Sequence, residues 1–207
     1  MIHRAIVVAV PLSVLAACTS VSDPAPQPQA QFWSALSTHC GKAYQGGLVS
    51  EDSRDLEMTG NAMIAHWAEC SDDRIAIAFH IQQPDESWNR SRTWIVTRTA
   101  AGLRLKHDHR HEDGSEDAVT QYGGDTATSG TAFAQDFPVD DYSIAMFQRE
   151  GLDLSLTNVW RMETAPAGED APPLTYQLTR ENDPTRLFRV SFEADQEIAP
   201  PPPAWGW

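Results

Sequence analysis

From residue 74 onward the chain keeps returning to short runs in which every second residue is apolar. Ile75, Ile77, Phe79 and Ile81 form one such row, Leu174, Tyr176 and Leu178 a second, and Phe188, Val190 and Phe192 a third. Side chains two apart lie on one face of a strand, whereas a helix needs its apolar residues three and four apart. Each row therefore predicts a strand with one buried face. Further runs at 64–70, 92–100, 103–111, 118–122, 126–135 and 158–163, with a first strand around Leu48, bring the total to about nine, spaced by turn residues as in a barrel or sandwich. The fold class is all-β: an antiparallel up-and-down β-barrel, with a two-sheet β-sandwich as the alternative. Helices are expected to be nearly absent. The exception is a short N-terminal one, where Phe32, Leu36 and Cys40 recur at four-residue spacing before Gly41, placed to cover an opening or pack on a sheet.

With 207 residues, 41% of them hydrophobic, the chain suffices for one domain with a real core rather than two. Fifteen Lys and Arg stand against 29 Asp and Glu, a net charge of −14. No basic run offsets this, so a phosphate-backbone partner is disfavoured and no nucleic acid is expected.

Residues 1–17, MIHRAIVVAVPLSVLAA, pair a short polar start with an apolar run too short for an ordinary transmembrane helix. This is the pattern of an export signal. It ends in Leu15-Ala16-Ala17-Cys18, which resembles the lipobox of bacterial lipoproteins at all four positions. The resemblance implies cleavage before Cys18 and its acylation, which makes the membrane a partner through that residue; each buried methylene adds about 0.8 kcal/mol to such an anchor. Thr19 in place of Asp implies transfer to the outer membrane, facing the periplasm. Residues 18–31, small, polar and proline-rich, read as an extended linker between anchor and domain.

With Cys18 acylated, Cys40 and Cys70 remain, in a compartment that favours pairing. A disulfide between them is expected to add about 3–4 kcal/mol in the chain-entropy model. A single β domain then spans 32–198. Residues 199–207, APPPPAWGW, cannot continue a sheet, because consecutive prolines lack backbone donors. They leave the body as an arm whose Trp205 and Trp207 are expected to dock on the barrel, the other uses being the membrane interface or a partner.

The stretch LKHDHRHEDG carries His107, His109 and His111 at every second position, on the face that holds Leu103 and Leu105. A turn at Ala101-Gly102 would set Val96 opposite His107, Trp94 opposite His109 and Arg92 opposite His111, and the returning strand would bring Thr120 beside His109 and Tyr122 beside His107. Lys106, Asp108, Arg110 and Glu112 alternate in sign on the other, solvent-facing side, shared with Ile95 and Val119. Three uses of the histidines stay open. They satisfy one another, Asp108, Glu112 and nearby hydroxyls in a structural network. They line a ligand-binding pocket with Trp94 and Tyr122. Or His107 and His109 give zinc two ligands, with a third from His39, His66, His80, a carboxylate or Tyr122. Histidines gathered this closely resist all being charged, so the cluster could loosen at acidic pH.

No catalytic residue is assigned: the chain has no nucleophile elbow, no H-E-x-x-H and no phosphate-cradling glycine loop. Asp108 or Glu112 orienting a histidine base for hydrolysis is the enzymatic alternative. Gly123-Gly124 reads as a turn or bulge.

The segments FWSALSTHCGKAYQGG, SRTWIVTRT and LRLKHDHRHEDGSEDAVTQYGG resemble a family of bacterial secreted proteins and lipoproteins of unassigned function over nearly the whole domain. The resemblance implies a shared fold and histidine segment but brings no activity. A helix followed by GKAYQGGLV also resembles the start of lipocalin-type and other calycin barrels, with Tyr44 three residues after Gly41 where that family sets a Trp closer. The chain is thus read as a lipid-anchored, calycin-like barrel that binds a small or amphipathic ligand at its histidine end and needs no cofactor. The alternatives are an interaction lipoprotein that uses its surface and tail, and a zinc protein or hydrolase using His107 and His109.

Overall fold

A computed structural model describes residues 27–207; the expected signal peptide, Cys18 and most of the expected linker lie outside the described residues. Helix α1, Pro28–Ser37, is followed by strands β1 (Ala43–Leu48), β2 (Met63–Cys70), β3 (Arg74–Gln82), β4 (Trp88–Thr99), β5 (Gly102–His109), β6 (Tyr122–Asp125) and β7 (Ala134–Pro138). Helix α2, Asp141–Arg149, then precedes β8 (Asn158–Glu163), β9 (Leu174–Arg180) and β10 (Asp183–Ile198). All ten strands join one antiparallel sheet in the order β6-β5-β4-β3-β2-β1-β10-β9-β8-β7. Chain neighbours pair with chain neighbours, and β1 pairs with β10, so the sheet curls into an up-and-down, nearly closed barrel. One continuous sheet replaces the sandwich alternative.

The remaining seam, between β6 and β7, is sealed by backbone and by α2. Asp140 N–H donates to the Gly123 carbonyl (2.9 Å), and Gly123 N–H donates to Ser143 Oγ (2.8 Å). Asp140 caps α2, its Oδ1 accepting from Ser143 N–H at 2.9 Å. A Cβ on Gly124 would fall on the Pro138 carbonyl. Gly123 and Gly124 are therefore strand residues that let two strands approach, and not the expected turn.

Other expectations need similar correction. Of the expected strand at 118–122 only Tyr122 is in one, the first residue of β6: Asp117 Oδ1 accepts from Val119 N–H (2.7 Å) and Gln121 adopts a φ of +57°, so the backbone turns before it. Residues 126–133 are a loop held by Gln135 Nε2, which donates to the carbonyls of Ser129 and Thr131. Helices are less scarce than expected, since α2 and a 3-10 turn at Ser53–Met58 interrupt the strands. The fold also begins earlier than residue 32. Pro28 opens α1, where a missing N–H costs nothing, and Gln29 Nε2 donates to Thr126 Oγ1 and the Thr128 carbonyl, both at 2.9 Å.

Helix α1 closes one end of the barrel. Phe32 and Leu36 are fully buried in the core, and the Arg98 guanidinium lies 5.6 Å from the Trp33 ring centre. Its C-terminal turn leads to the Cys40–Cys70 disulfide. That bond fits an oxidising, extracytoplasmic location. Among the described residues no helix is long and apolar enough to cross a membrane.

The proline-rich tail docks on the outside, as expected. Trp205 N–H donates to the Arg90 carbonyl (3.0 Å), Arg90 donates to the Pro203 carbonyl (2.8 Å), and Arg74 lies 5.0 Å from the Trp207 ring centre. This strap crosses the outer face of β3 to β5 and explains why His80, Thr93 and Asp108, all pointing outward, are buried.

Candidate functional site

Strand β5 carries its apolar residues toward the α1 end and its histidines toward the other. The hairpin register differs from the expected one by two residues: Thr99 pairs with Gly102, Trp94 with His107 and Arg92 with His109. Gly102 opens the strand and the turn falls at Ala100-Ala101; a Cβ on Gly102, whose φ is +146°, would sit 2.5 Å from Thr126 Oγ1, so glycine suits the position. A shift of two keeps every side chain on its expected face. His107 pairs with Tyr122, and the Thr120 hydroxyl accepts from His109 N–H at 2.8 Å, both as expected.

Inside, Trp94 is stacked between Phe79 and Tyr176, with both ring centres 4.5 Å away. On the side away from α1 a cavity of about 280 Å³ remains, lined among others by Trp94, His107, His109, Tyr122, Tyr176 and Phe188. The volume lies at the small end of the range of ligand pockets, about 300–1,000 Å³. Four of the five expected pocket residues therefore meet around one space. His111 does not: β5 ends at His109, and His111 is exposed in the following turn, its N–H donating to the Ser115 carbonyl at 2.9 Å. Val119, expected to face outward, lines the cavity because its segment turns.

The histidine chemistry is set by tyrosines, not by carboxylates. His107 Nδ1 lies 3.0 Å from the Tyr122 carbonyl, which can only accept, so Nδ1 carries the proton. Its Nε2 then accepts from the Tyr176 hydroxyl at 2.8 Å. Both nitrogens are thus engaged, and Tyr122 stacks on the ring at 4.5 Å. His109 Nε2 meets the Tyr122 hydroxyl at 3.1 Å. Burial pushes the His107 pKa down to about 3. It brings His109 to about 4, with the nearby Arg92 guanidinium adding to the effect. Burial likewise raises the Tyr122 phenol to about 12. The histidines and tyrosines thus give the cavity neutral imidazole and phenol groups.

Asp108 takes no part in it. Its carboxylate faces outward and is only 1% exposed, because Arg110 Nε (2.9 Å), Gln121 Nε2 (2.8 Å) and Trp207 Nε1 (2.9 Å) close over it. The proposed orientation of a histidine base by Asp108 therefore fails on geometry, as does the network joining Asp108 to the imidazoles. Glu112 is exposed beyond the end of β5. Among the described residues no three His, Cys, Asp or Glu side chains gather in a metal-binding arrangement. His39, one of the suggested third ligands, is held elsewhere by the Tyr44 hydroxyl (3.0 Å) and the Ala165 carbonyl (2.6 Å).

The sequence reading gave no role to Arg180, Arg186 and Asp55, which also line the cavity, with Arg92. Arg186 grips buried Asp55 through two nitrogens and also reaches Asp52 at 3.0 Å. Arg54 ties Asp52 to Asp183 at the start of β10, fixing the Ser53–Met58 turn at the cavity rim. The signal for the arginines was the alternation itself. Arg92 extends the row of Trp94 and Val96, Arg180 that of Tyr176 and Leu178, and Arg186 that of Phe188 and Val190.

The likeness to calycins rests on barrel shape alone. No protein-family model matches the chain, and neither curated proteins nor solved structures gave a significant match.

Proposed function

We propose that this is a cell-envelope protein, anchored through an acylated Cys18, whose barrel binds a small or amphipathic ligand at its histidine end. One observation carries the reading. A barrel plugged by α1 at one end keeps, toward the other, a cavity walled by Trp94, Tyr176 and Phe188 and furnished with His107, His109 and Tyr122. An apolar concavity with a few convergent polar groups is the usual form of a ligand site. A surface-only role for the chain would leave that space without a purpose, and the tail offered for such a role is folded against the barrel.

Saturable binding of the neutral fluorophore N-phenyl-1-naphthylamine tests the reading. One site per chain is expected, lost when Val119→Trp fills the cavity. Absence of saturable binding, or binding indifferent to Val119→Trp, would refute it. The anchor is tested separately by detergent phase partition: the wild-type chain is expected in the detergent phase and the Cys18→Ala variant in the aqueous one, and equal partition would remove the anchor.

A further inference from the structure

The chain carries a net charge of −14, yet its interior cavity has the opposite sign. Three guanidinium groups line it, those of Arg92, Arg180 and Arg186, and Asp55 is the one carboxylate on the wall, leaving an excess of two positive charges among the described residues (three less one). The two groups that make up the excess are not neutralised. Arg186 is bound by Asp55 and Asp52. Arg92 instead donates to Asn89 Oδ1 (3.3 Å) and Ser91 Oγ (3.1 Å), and Arg180 Nε to Asn158 Oδ1 (3.0 Å), all neutral acceptors. Neither has a carboxylate partner among the described residues, although acidic residues outnumber basic ones 29 to 15.

A guanidinium has five N–H donors in a fork that matches an acid group. Most donors of Arg92 and Arg180 are not used by the protein. Burial, with Arg186 and Arg54 close by, also lowers the pKa of Arg180, against the opposite pull of Asp183 and Asp52. Both side chains are half-buried, and the donors left unused can pair with an acid group in charge-assisted hydrogen bonds.

We propose that the cavity takes a compact amphipathic organic anion, its ring or short chain against Trp94 and its acid group held by Arg92 and Arg180. This deepens the ligand-binding reading above and rests on it. The neutral phenols and imidazoles of the wall add no negative charge to oppose such a guest. A carboxylate and a sulfonate or phosphate share the required chemistry.

The discriminating pair of probes is 8-anilinonaphthalene-1-sulfonate and N-phenyl-1-naphthylamine, which share a ring system and differ by the anionic group. Both are titrated into the full-length chain carrying Cys18→Ser, so that no acyl chain competes. The sulfonate is expected to bind about tenfold or more tightly than the neutral probe, as charge-assisted hydrogen bonds require. Arg92→Gln with Arg180→Gln should abolish that advantage while leaving the neutral probe in place. In the unsubstituted pair of arginines, rising salt should weaken the sulfonate alone, which gives the same discrimination if the variant does not fold. Equal affinity of the two probes, or an advantage that survives the arginine substitutions or ignores salt, overturns the anion assignment and leaves the cavity reading standing. Failure of both probes to bind the folded chain overturns the cavity reading itself.

Discussion

The indole N–H of Trp207 donates to the carboxylate of Asp108 at 2.9 Å, joining the tail to the strand whose other face carries the histidines. Asp108 is buried by that contact and by Arg110 and Gln121. Removing Asp108 strands Arg110 and several donors, so Asp108→Ala is expected to destabilise the fold by about 3–5 kcal/mol. Trp207→Ala should cost less, about 1–3 kcal/mol. Urea unfolding of the two variants checks this; equal stability of Asp108→Ala and wild type would mean the tail is not held in this way.

The Tyr176 hydroxyl is what satisfies His107 Nε2 on a buried ring. Tyr176→Phe leaves that nitrogen buried without a donor and is expected to cost about 1–3 kcal/mol. Adding His107→Leu should recover part of the loss, because it removes the orphaned acceptor. A double-mutant cycle measures the coupling, and additive effects would contradict the assigned bond.

Acid should unfold this protein through its histidines. His80 and His109 are held near a pKa of about 4 and His107 near about 3, each chiefly by burial. In the unfolded chain the same groups take up protons near pH ~6.5, so the unfolded state binds more protons over the window between. Stability is full above that range and is lost as pH falls from ~6.5 toward ~4. A urea midpoint followed across this window is expected to drop steadily and well before the carboxylates titrate; a flat midpoint down to pH ~5 would contradict the burial of neutral imidazoles.

Gly124 faces the Pro138 carbonyl across the seam with no room for a methyl group. Gly124→Ala is therefore expected to part β6 from the end of β7 at a cost of about 1–3 kcal/mol or more. Hydrogen exchange should show faster loss of the Asp140 amide, which donates to Gly123, than of amides in β2 and β3. Uniform protection would show that the seam is sealed otherwise.

Reduction of Cys40–Cys70 frees the end of α1 from β2. A loss of about 2–4 kcal/mol is expected, read as the difference in thermal midpoint with and without reductant.

The alternation rows made the barrel legible, because a residue two places along a strand always returns to the same face; Ile75, Ile77, Phe79 and Ile81 needed no other information. The same rule placed His107 and His109 inside even though the hairpin turn was set one residue too late, since the resulting register slip of two preserves faces. Where backbone departs from the strand, the rule fails: Val119 came inward and the segment after Asp117 was not a strand. Asp108 shows the other limit. Its position on the outer face was readable, but its burial depends on a tail 99 residues away, which no local pattern encodes. The arginines were missed for a simpler reason. Arg92, Arg180 and Arg186 end apolar rows, and a charged residue at the end of such a row reads as the strand leaving the core when in fact it lines a cavity.

The central claim is that the space beside Trp94 is a binding site. A crystal structure of the chain grown with N-phenyl-1-naphthylamine tests it most directly. The account requires the ring system inside the barrel, against Trp94 and within reach of His109 and Tyr122. A probe found only on the outer surface, with the interior unchanged, would contradict it.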